Sequence, residues 1–409
     1  MAAVEQSLSF KIKTTLLNND DGSSIDISKN VKNIMIKKDY INNVFPLFVV
    51  NMCLTEIERD MIRDNNTDIS IRIYSGNSLM KSSEEDDDAD SHLNTNILDT
   101  VLRVYDKKFT TDDSQSDENE DDIDDSSGTN NAPHLLYSVS GIPKDIVDSN
   151  TGHINVIYNN CKAATALLNI ISNMSIKKDI YFDSADLSAD MYNYILIPPQ
   201  TPMSAISYLD LNYKLYNNGL LNVFYDTDQI YLYNAYNRNR IFNKSLLYKE
   251  IKNASTNSSN RRVEFDEDNS RLICYSDATP KLLDSEKITN YNSGTSRTFY
   301  SYDDVFDIVI RSGIKKEEDF SVNRYFWNPG RKQLFENTFD ITNNTNKLVP
   351  LILINVDPNF FTPDTLVMIE SQYDKITGNY TIGSSTSIFS SNDGITFNSS
   401  VALGLIKTK

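Results

Sequence analysis

Residues 378–407, GNYTIGSSTSIFSSNDGITFNSSVALGLIK, decide how the rest of the chain is read. Apolar and polar residues alternate along both arms, and the NDG at 392–394 is a hairpin turn signal. In the second arm Ile395, Phe397, Val401, Leu403 and Leu405 share one face, with Ser399 between them. That pattern predicts a strand of about eleven residues, longer than the usual five or six. Long alternating strands suit a barrel wall or a sheet continued across subunits, because a bare edge of this kind promotes aggregation.

The same period of two recurs upstream. Leu8, Phe10, Ile12 and Leu16 fall on one face together with Thr14, and NNDDG at 18–22 turns the chain. Strand-like segments continue through IDISKNVKNIMIKKDYINNVFPLFVVNMCL (25–54), where Pro46 marks an edge or a start. TEIERDMIRD (55–64) reads as a short helix with a capping box, Thr55 paired with Glu58. Ile69, Ile71 and Ile73 place DISIRIY in a half-buried strand, and ILDTVLRVYDKKF (97–109) and HLLYSVSG (134–141) supply two more.

The middle of the chain changes period. CKAATALLNIISNM (161–174) predicts a helix with Ala164, Leu167, Leu168 and Ile171 on its apolar side. PPQTPMSAISYLDLNYKLYNNG (198–219) predicts another, opened by Thr201 and Pro202 and closed at Gly219. Its stripe is Ile206, Leu209, Tyr213 and Tyr216, and it carries little charge beyond Asp210 and Lys214. LLNVFYDTDQIYLYN (220–234) is a hairpin turned at DTD, and from about 248 strands return, KLVPLILINVDP (347–358) among them. The expected class is α+β, mainly β. A β domain at 1–150 carries an acidic insertion at 78–133, a small α/β domain occupies 151–247, and a second β domain occupies 248–409.

A chain of 409 residues with 39% hydrophobic and 10% aromatic residues builds roughly two to three globular domains. Its acidity is local: EEDDDAD (84–90) and DDSQSDENEDDIDD (112–125) hold fifteen acidic residues, and removing them takes the net charge from −18 to −3. Such runs form solvated loops, lack the glycine and terminal glutamate of an EF-hand, and do not grip phosphates. Cys53, Cys161 and Cys274 are too few and scattered for a disulfide framework or zinc cluster, and are expected as small buried apolar residues. MAAVEQSLSFKIK is no signal peptide, and no stretch approaches the roughly 18 apolar residues of a membrane span.

Catalytic signals are missing. His92, His134 and His153 have no neighbouring nucleophile pattern, and HExxH, GxxxxGK[ST] and GxGxxG do not occur. Carboxylate pairs are plentiful, but none is singled out as a hydrolase pair. RYFWNPGRK (324–332) gathers aromatics and arginines around Trp327, for which a turn at Pro329 and Gly330 anchored by a buried Trp is the plainer account. No catalytic, cofactor-binding or metal-binding residue is therefore expected, and no enzyme.

The layout resembles that of the baseplate hub proteins of contractile-tailed bacteriophages. The middle stretch QTPMSAISYLDLNYKLYNNGLLNVFYDTDQIYLYN (200–234) is similar to the helix, glycine and aromatic hairpin of that family's central unit. Residues 378–407 are similar to its closing strand, loop, glycine turn and long strand, and residues 25–54 look like its first tube-type domain. The resemblance implies two tube-type β-barrel domains per chain and a homotrimer whose pseudo-sixfold ring adapts the hexameric tail tube to the central spike. It further implies wedge or other tail proteins as partners, DNA only in passage through the channel, no membrane span, and assembly in the host cytoplasm into the virion. The tyrosine helix fits equally as core packed on the following hairpin; on the hub reading it meets a neighbouring subunit, since interfaces are rich in tyrosine and poor in charge. The acidic insertion departs from the pattern, and is expected on the ring's outer side and dispensable for the fold. Rival classes are a tail-associated peptidoglycan hydrolase, which needs a cleft with a sensitive acid, and a host-receptor-binding tail protein, which would more often show repeats.

Overall fold

The computed structural model describes residues 4–5, 8–41, 43–63, 67–77, 95–110, 135–174, 176, 178–217, 221–234, 240–250, 262–266, 269–276, 295–303, 307–312, 321–327, 349–372, 376–391 and 396–408. The first third is β1 (Val4–Glu5), β2 (Leu8–Asn18), β3 (Ser24–Asp26), β4 (Val31–Asp39), β5 (Leu47–Leu54), α1 (Glu56–Arg63), β6 (Thr67–Asn77), β7 (Thr95–Thr110) and β8 (Leu135–Pro143). The middle holds α2 (Lys144–Ser149), β9 (Ile154–Lys162), α3 (Ala163–Ser172), β10 (Asp179–Phe182), β11 (Met191–Gln200), α4 (Pro202–Asn212), β12 (Leu221–Tyr225) and β13 (Gln229–Asn234). The last third is β14 (Lys244–Glu250), β15 (Arg262–Asp266), β16 (Arg271–Ser276), β17 (Thr295–Asp303), β18 (Asp307–Ser312), β19 (Ser321–Trp327), β20 (Val349–Ile354), β21 (Thr365–Glu370), β22 (Gly378–Ser390) and β23 (Asn398–Lys407).

Local chemistry sets these elements where the sequence pointed. On β2 and β6 the inward residues Phe10, Ile12, Thr14, Leu16, Ile69, Ile71 and Ile73 are buried, as period-two alternation requires. Gly22, at φ +74°, completes the turn after β2 and returns its N–H to the Asn18 carbonyl at 3.0 Å. The capping box forms: the Thr55 N–H donates to Glu58 Oε2 at 2.7 Å, and the Glu58 N–H donates to Thr55 Oγ1 at 3.5 Å.

Most strands join one sheet in the order β1-β15-β16-β14-β21-β22-β4-β5-β8-β7-β6-β2-β3, with β23 on the other side of β22 and β20 beyond it. The hairpin β22–β23 belongs to both halves of this path. Along one edge, Gly378–Thr381 of β22 pairs with β21, while Ser384–Ser390 pairs with β4. The change of neighbour falls at a bulge around Gly383. A Cβ at Gly383 would lie 2.9 Å from Ile41 Cδ1 and 3.0 Å from Ile406 Cδ1, so a larger residue there would have to push these side-chain ends aside. Beyond the bulge, the hairpin tip sends Phe389 and Phe397 into the core of the N-terminal strands. Its base sends Tyr380, Ile382, Val401, Leu403 and Leu405 into a second core, shared with β14, β16, β20 and β21.

The run from β4 to β2 curls back to the hairpin, where Phe10 and Phe397 exchange backbone hydrogen bonds of 3.1 and 2.9 Å. This is one isolated bridge and not a ladder, so the N-terminal unit is a strongly curled sheet. A third core, built on α3, α4 and the two-stranded ribbon of β9 and β11, belongs to the middle of the chain.

Three local expectations change. The span 78–133 is not one loop, because the strand expected at 97–109 forms as β7 inside it, pairs with both β6 and β8, and buries Leu98 and Leu102. Both acidic blocks lie outside the described residues, as does Ile395. On α3 the buried side is Ala163, Ala166, Leu167, Ile170 and Ile171, and Leu168 is exposed, because the helix follows directly from β9 and turns that face onto the ribbon. Cys274 is buried, but Cys53 and Cys161 are only half-buried.

Candidate assembly surface

The tyrosine-rich segment that suggested a subunit contact is consumed within the chain. Helix α4 stops at Asn212 and not near Gly219, since Tyr213 is already extended (φ −125°, ψ 112°). Thr201 stands at the N-cap position without a side-chain cap bond, and Pro202 takes the first helical position. Ile206, Leu209 and Tyr216 are buried in the middle core, and the Tyr216 hydroxyl donates to the Asp183 carbonyl at 2.9 Å. Tyr213 stacks edge-to-face on Tyr192 with centroids 5.2 Å apart, and its hydroxyl accepts the Leu196 N–H at 2.9 Å. The physical reason is need: a two-stranded ribbon has no core of its own and must be covered by helices and tyrosines of the same chain.

The hairpin β12–β13 ties the middle unit to the C-terminal core and to the end of β4 and the segment after it, a role its sequence did not announce. Along β13 the side chains alternate, Tyr231 and Tyr233 entering the C-terminal core while Ile230 and Leu232 enter the middle core. The Tyr225 N–H donates to the Val44 carbonyl at 2.7 Å, and the Tyr233 hydroxyl donates to the Tyr40 carbonyl at 2.6 Å. Tyr40 in turn donates its hydroxyl to the Phe361 carbonyl at 2.8 Å. Burial pushes the hydroxyls of Tyr40, Tyr216, Tyr225, Tyr231 and Tyr233 well above the ordinary tyrosine range, and that of Tyr181 up to about 12. At the DTD turn, Asp226 pairs with Lys38 of β4 at 2.8 Å, with side chains 0% and 5% exposed. Lys178 donates to the Asp226 carbonyl and pairs with Asp145, both at 2.7 Å. The only advance signals were the DTD turn and the alternation of aromatic and aliphatic residues in IYLY.

The C-terminal strand has the expected register. Phe397, Ser399, Val401, Leu403 and Leu405 are buried, Thr396 and Asn398 are exposed, and Ser400 is half-exposed. Ser399 fits an apolar face because its hydroxyl donates to the Val356 carbonyl at 3.1 Å.

Among the described residues no three His, Cys, Asp or Glu side chains are grouped to hold a metal ion. No described helix is long and apolar enough to cross a membrane. His153 is exposed, in the turn before β9; His92 and His134 lie outside the described residues. Trp327 ends β19, and the remainder of the RYFWNPGRK turn also lies outside them.

No curated protein matches the chain at a significant level. Among solved structures, a tail protein from Neisseria meningitidis MC58 is 11% identical with a TM-score of 0.47, over 97% of this chain and 96% of that one. A 43 kDa tail protein of prophage MuSo2 from Shewanella oneidensis is 9% identical with a TM-score of 0.47, over 99% of both chains. A prophage tail protein from Listeria monocytogenes EGD-e is 8% identical with a TM-score of 0.40, over 97% of this chain and 95% of that one. The sequence profile of the bacteriophage PBS1 gene 109 protein matches residues 2–405. Spanning nearly the whole length, that match makes this chain a member of the bacteriophage PBS1 gene 109 protein family, a family of phage tail and virion proteins.

Proposed function

We propose that the chain is the central hub of a contractile phage baseplate, a mechanical component of the virion and not an enzyme. Three copies form a ring that adapts the hexameric tail tube to the central spike, and other baseplate proteins attach around it. The observation that carries this reading is the shared hairpin β22–β23, which places two β cores side by side on one sheet path. A chain divided as 1–150, 151–247 and 248–409 then offers two tube-type barrel units, and three chains offer six, which is the symmetry match a tube-to-spike adaptor needs. The bore passes DNA without holding it, in keeping with a chain nearly neutral outside its acidic blocks. Assembly takes place in the host cytoplasm.

The test is the mass of the purified protein in solution, alone and with the tail tube and spike proteins. Three copies are expected. A particle reconstruction with six or twelve copies of this chain around the axis overturns the proposal.

A further inference from the structure

The outward side of the main sheet changes character across its width. On β2, β6 and β7 it carries exposed Lys11, Lys13, Arg72 and Asp99, the last two paired at 3.3 Å. Crossing from β5 through β4, β22 and β23 to β20, the paired residues are Val49, Met35, Ile388, Ser400 and Ile354. The row beside it ends in Ile352 and has Lys37 as its one charge, and the row on the other side is asparagine and serine. Ile352 and Ile354 are 59% and 43% exposed. Two rows across five strands and the asparagine and serine row across four cover about 450 Å² in plane, from strand spacing and rise, more than half of the roughly 800 Å² that each side of a standard interface buries. Apolar residues fill about half of it, and Lys37, Thr386, Ser400 and the asparagine and serine row fill the rest.

A second uncharged face lies on the ribbon of β9 and β11. Ile195 and Ile197 point inward to α3 and α4, whereas Ile157, Tyr194 and Leu196 point outward at 57%, 70% and 48% exposure. Leu196 stands opposite Ile157, and Tyr194 opposite Asn159.

We infer that the ribbon of one copy docks on the sheet face of the next copy, head to tail. The inference rests on the ring assembly proposed above and names its contact. A closed ring of three needs a heterologous contact, in which two different patches of one chain meet, whereas a two-fold pair needs a single self-complementary patch. This chain carries two such patches on separate elements. The paired rows on both patches carry no carboxylate, so two copies meet there without carboxylate repulsion. Tyr194, with its ring outward on a strand, is the type of anchor that dominates interfaces. Passing DNA is a poor occupant of the sheet face, since phosphates gain nothing from isoleucine and methionine.

The experiment replaces one residue on each patch, Ile354→Lys and Tyr194→Lys, and measures mass in solution by sedimentation, with melting temperature as the check on folding. Each variant alone should fail to close the trimer, with dissociation easier by about a hundredfold. Mixed in equal amounts, the two variants retain one intact contact between them and should form pairs that do not close. Ile354→Ser and Leu196→Ser serve as a gentler pair should either lysine variant melt early. Variants that still form trimers, or a mixture that forms no pairs, overturn this contact and leave the hub reading standing. An Ile354→Lys trimer that no longer binds tail tube protein assigns the face to that protein and likewise overturns it. A wild-type chain that is monomeric alone and with tube and spike proteins overturns the hub reading itself, and the contact with it.

Discussion

Placing a carboxylate at Leu403 should unfold the C-terminal core, while the same change five residues earlier, at Asn398, should be nearly silent. Leu403 is 1% exposed, opposite Leu351 of β20 and Ser385 of β22. Removing a buried leucine side chain costs about 2–5 kcal/mol through lost burial and the cavity left behind. Leu403→Asp adds the desolvation of an unpaired carboxylate, several kcal/mol more unless the group protonates. The sum reaches the roughly 5–15 kcal/mol that holds a typical domain folded. Asn398 is exposed at the start of the same strand, and Asn398→Asp should stay within about 0.5 kcal/mol. Leu403→Met separates shape from charge and should cost under about 1.5 kcal/mol. The assay is soluble yield followed by thermal melting of the three variants beside the parent chain. Collapse of Leu403→Asp with a shift of no more than about 2 °C for Asn398→Asp is expected. Equal yields and melting temperatures for the two aspartates would refute the register of β23 and the second core built on it.

Breaking the buried ion pair by Asp226→Ala should destabilise the protein by about 3–5 kcal/mol, and Lys38→Met with Asp226→Leu should recover most of that loss in urea unfolding. Stability should also fall in alkali: the five core tyrosines hold their protons in the folded state, so their contribution is full below about pH 10 and declines as the pH rises toward their higher folded values. Ultraviolet titration should show them ionising only as the chain unfolds; a smooth titration of all tyrosines near pH 10 in folded protein would contradict it. Deleting 84–90 and 112–125 while keeping the strand between them should leave the melting temperature nearly unchanged, whereas deleting 78–133 whole removes β7 and should abolish soluble expression.

What the sequence made legible is what neighbours in the chain decide. Ile69, Ile71 and Ile73 alternate, and a strand follows; Thr55 and Glu58 stand three apart, and the capping box closes. The tail-family reading likewise followed from the order of such segments. What stayed hidden depends on residues far apart. Lys38 and Asp226 are 188 positions apart, and neither has a local feature that names the other. Tyr213 continued a helical stripe on paper, yet it leaves the helix because its hydroxyl is needed at the uncovered edge of β11. The acidic blocks drew attention to 78–133 as a unit by composition, although the strand read at 97–109, with Leu98 and Leu102 inward, already lay inside it.

The serines of the closing hairpin carry the most information about why two cores can share one strand pair. By composition SSTS at 384–387 and SS at 399–400 weaken an apolar pattern. In the sheet, inward Ser385 and Ser387 stand opposite Leu403 and Val401, so small side chains on β22 face large ones on β23 and the strands close without overfilling the junction. Ser399 reaches the Val356 carbonyl just after β20, and the Asn355 N–H reaches the Ser399 carbonyl at 2.9 Å. The Leu8 N–H in turn bonds the Asn355 carbonyl at 3.2 Å. One serine therefore links the strand that closes the second core to the strand that opens the first. Large apolar residues at 385, 387 and 399 would strengthen the alternation on paper and crowd the hairpin that the two cores share.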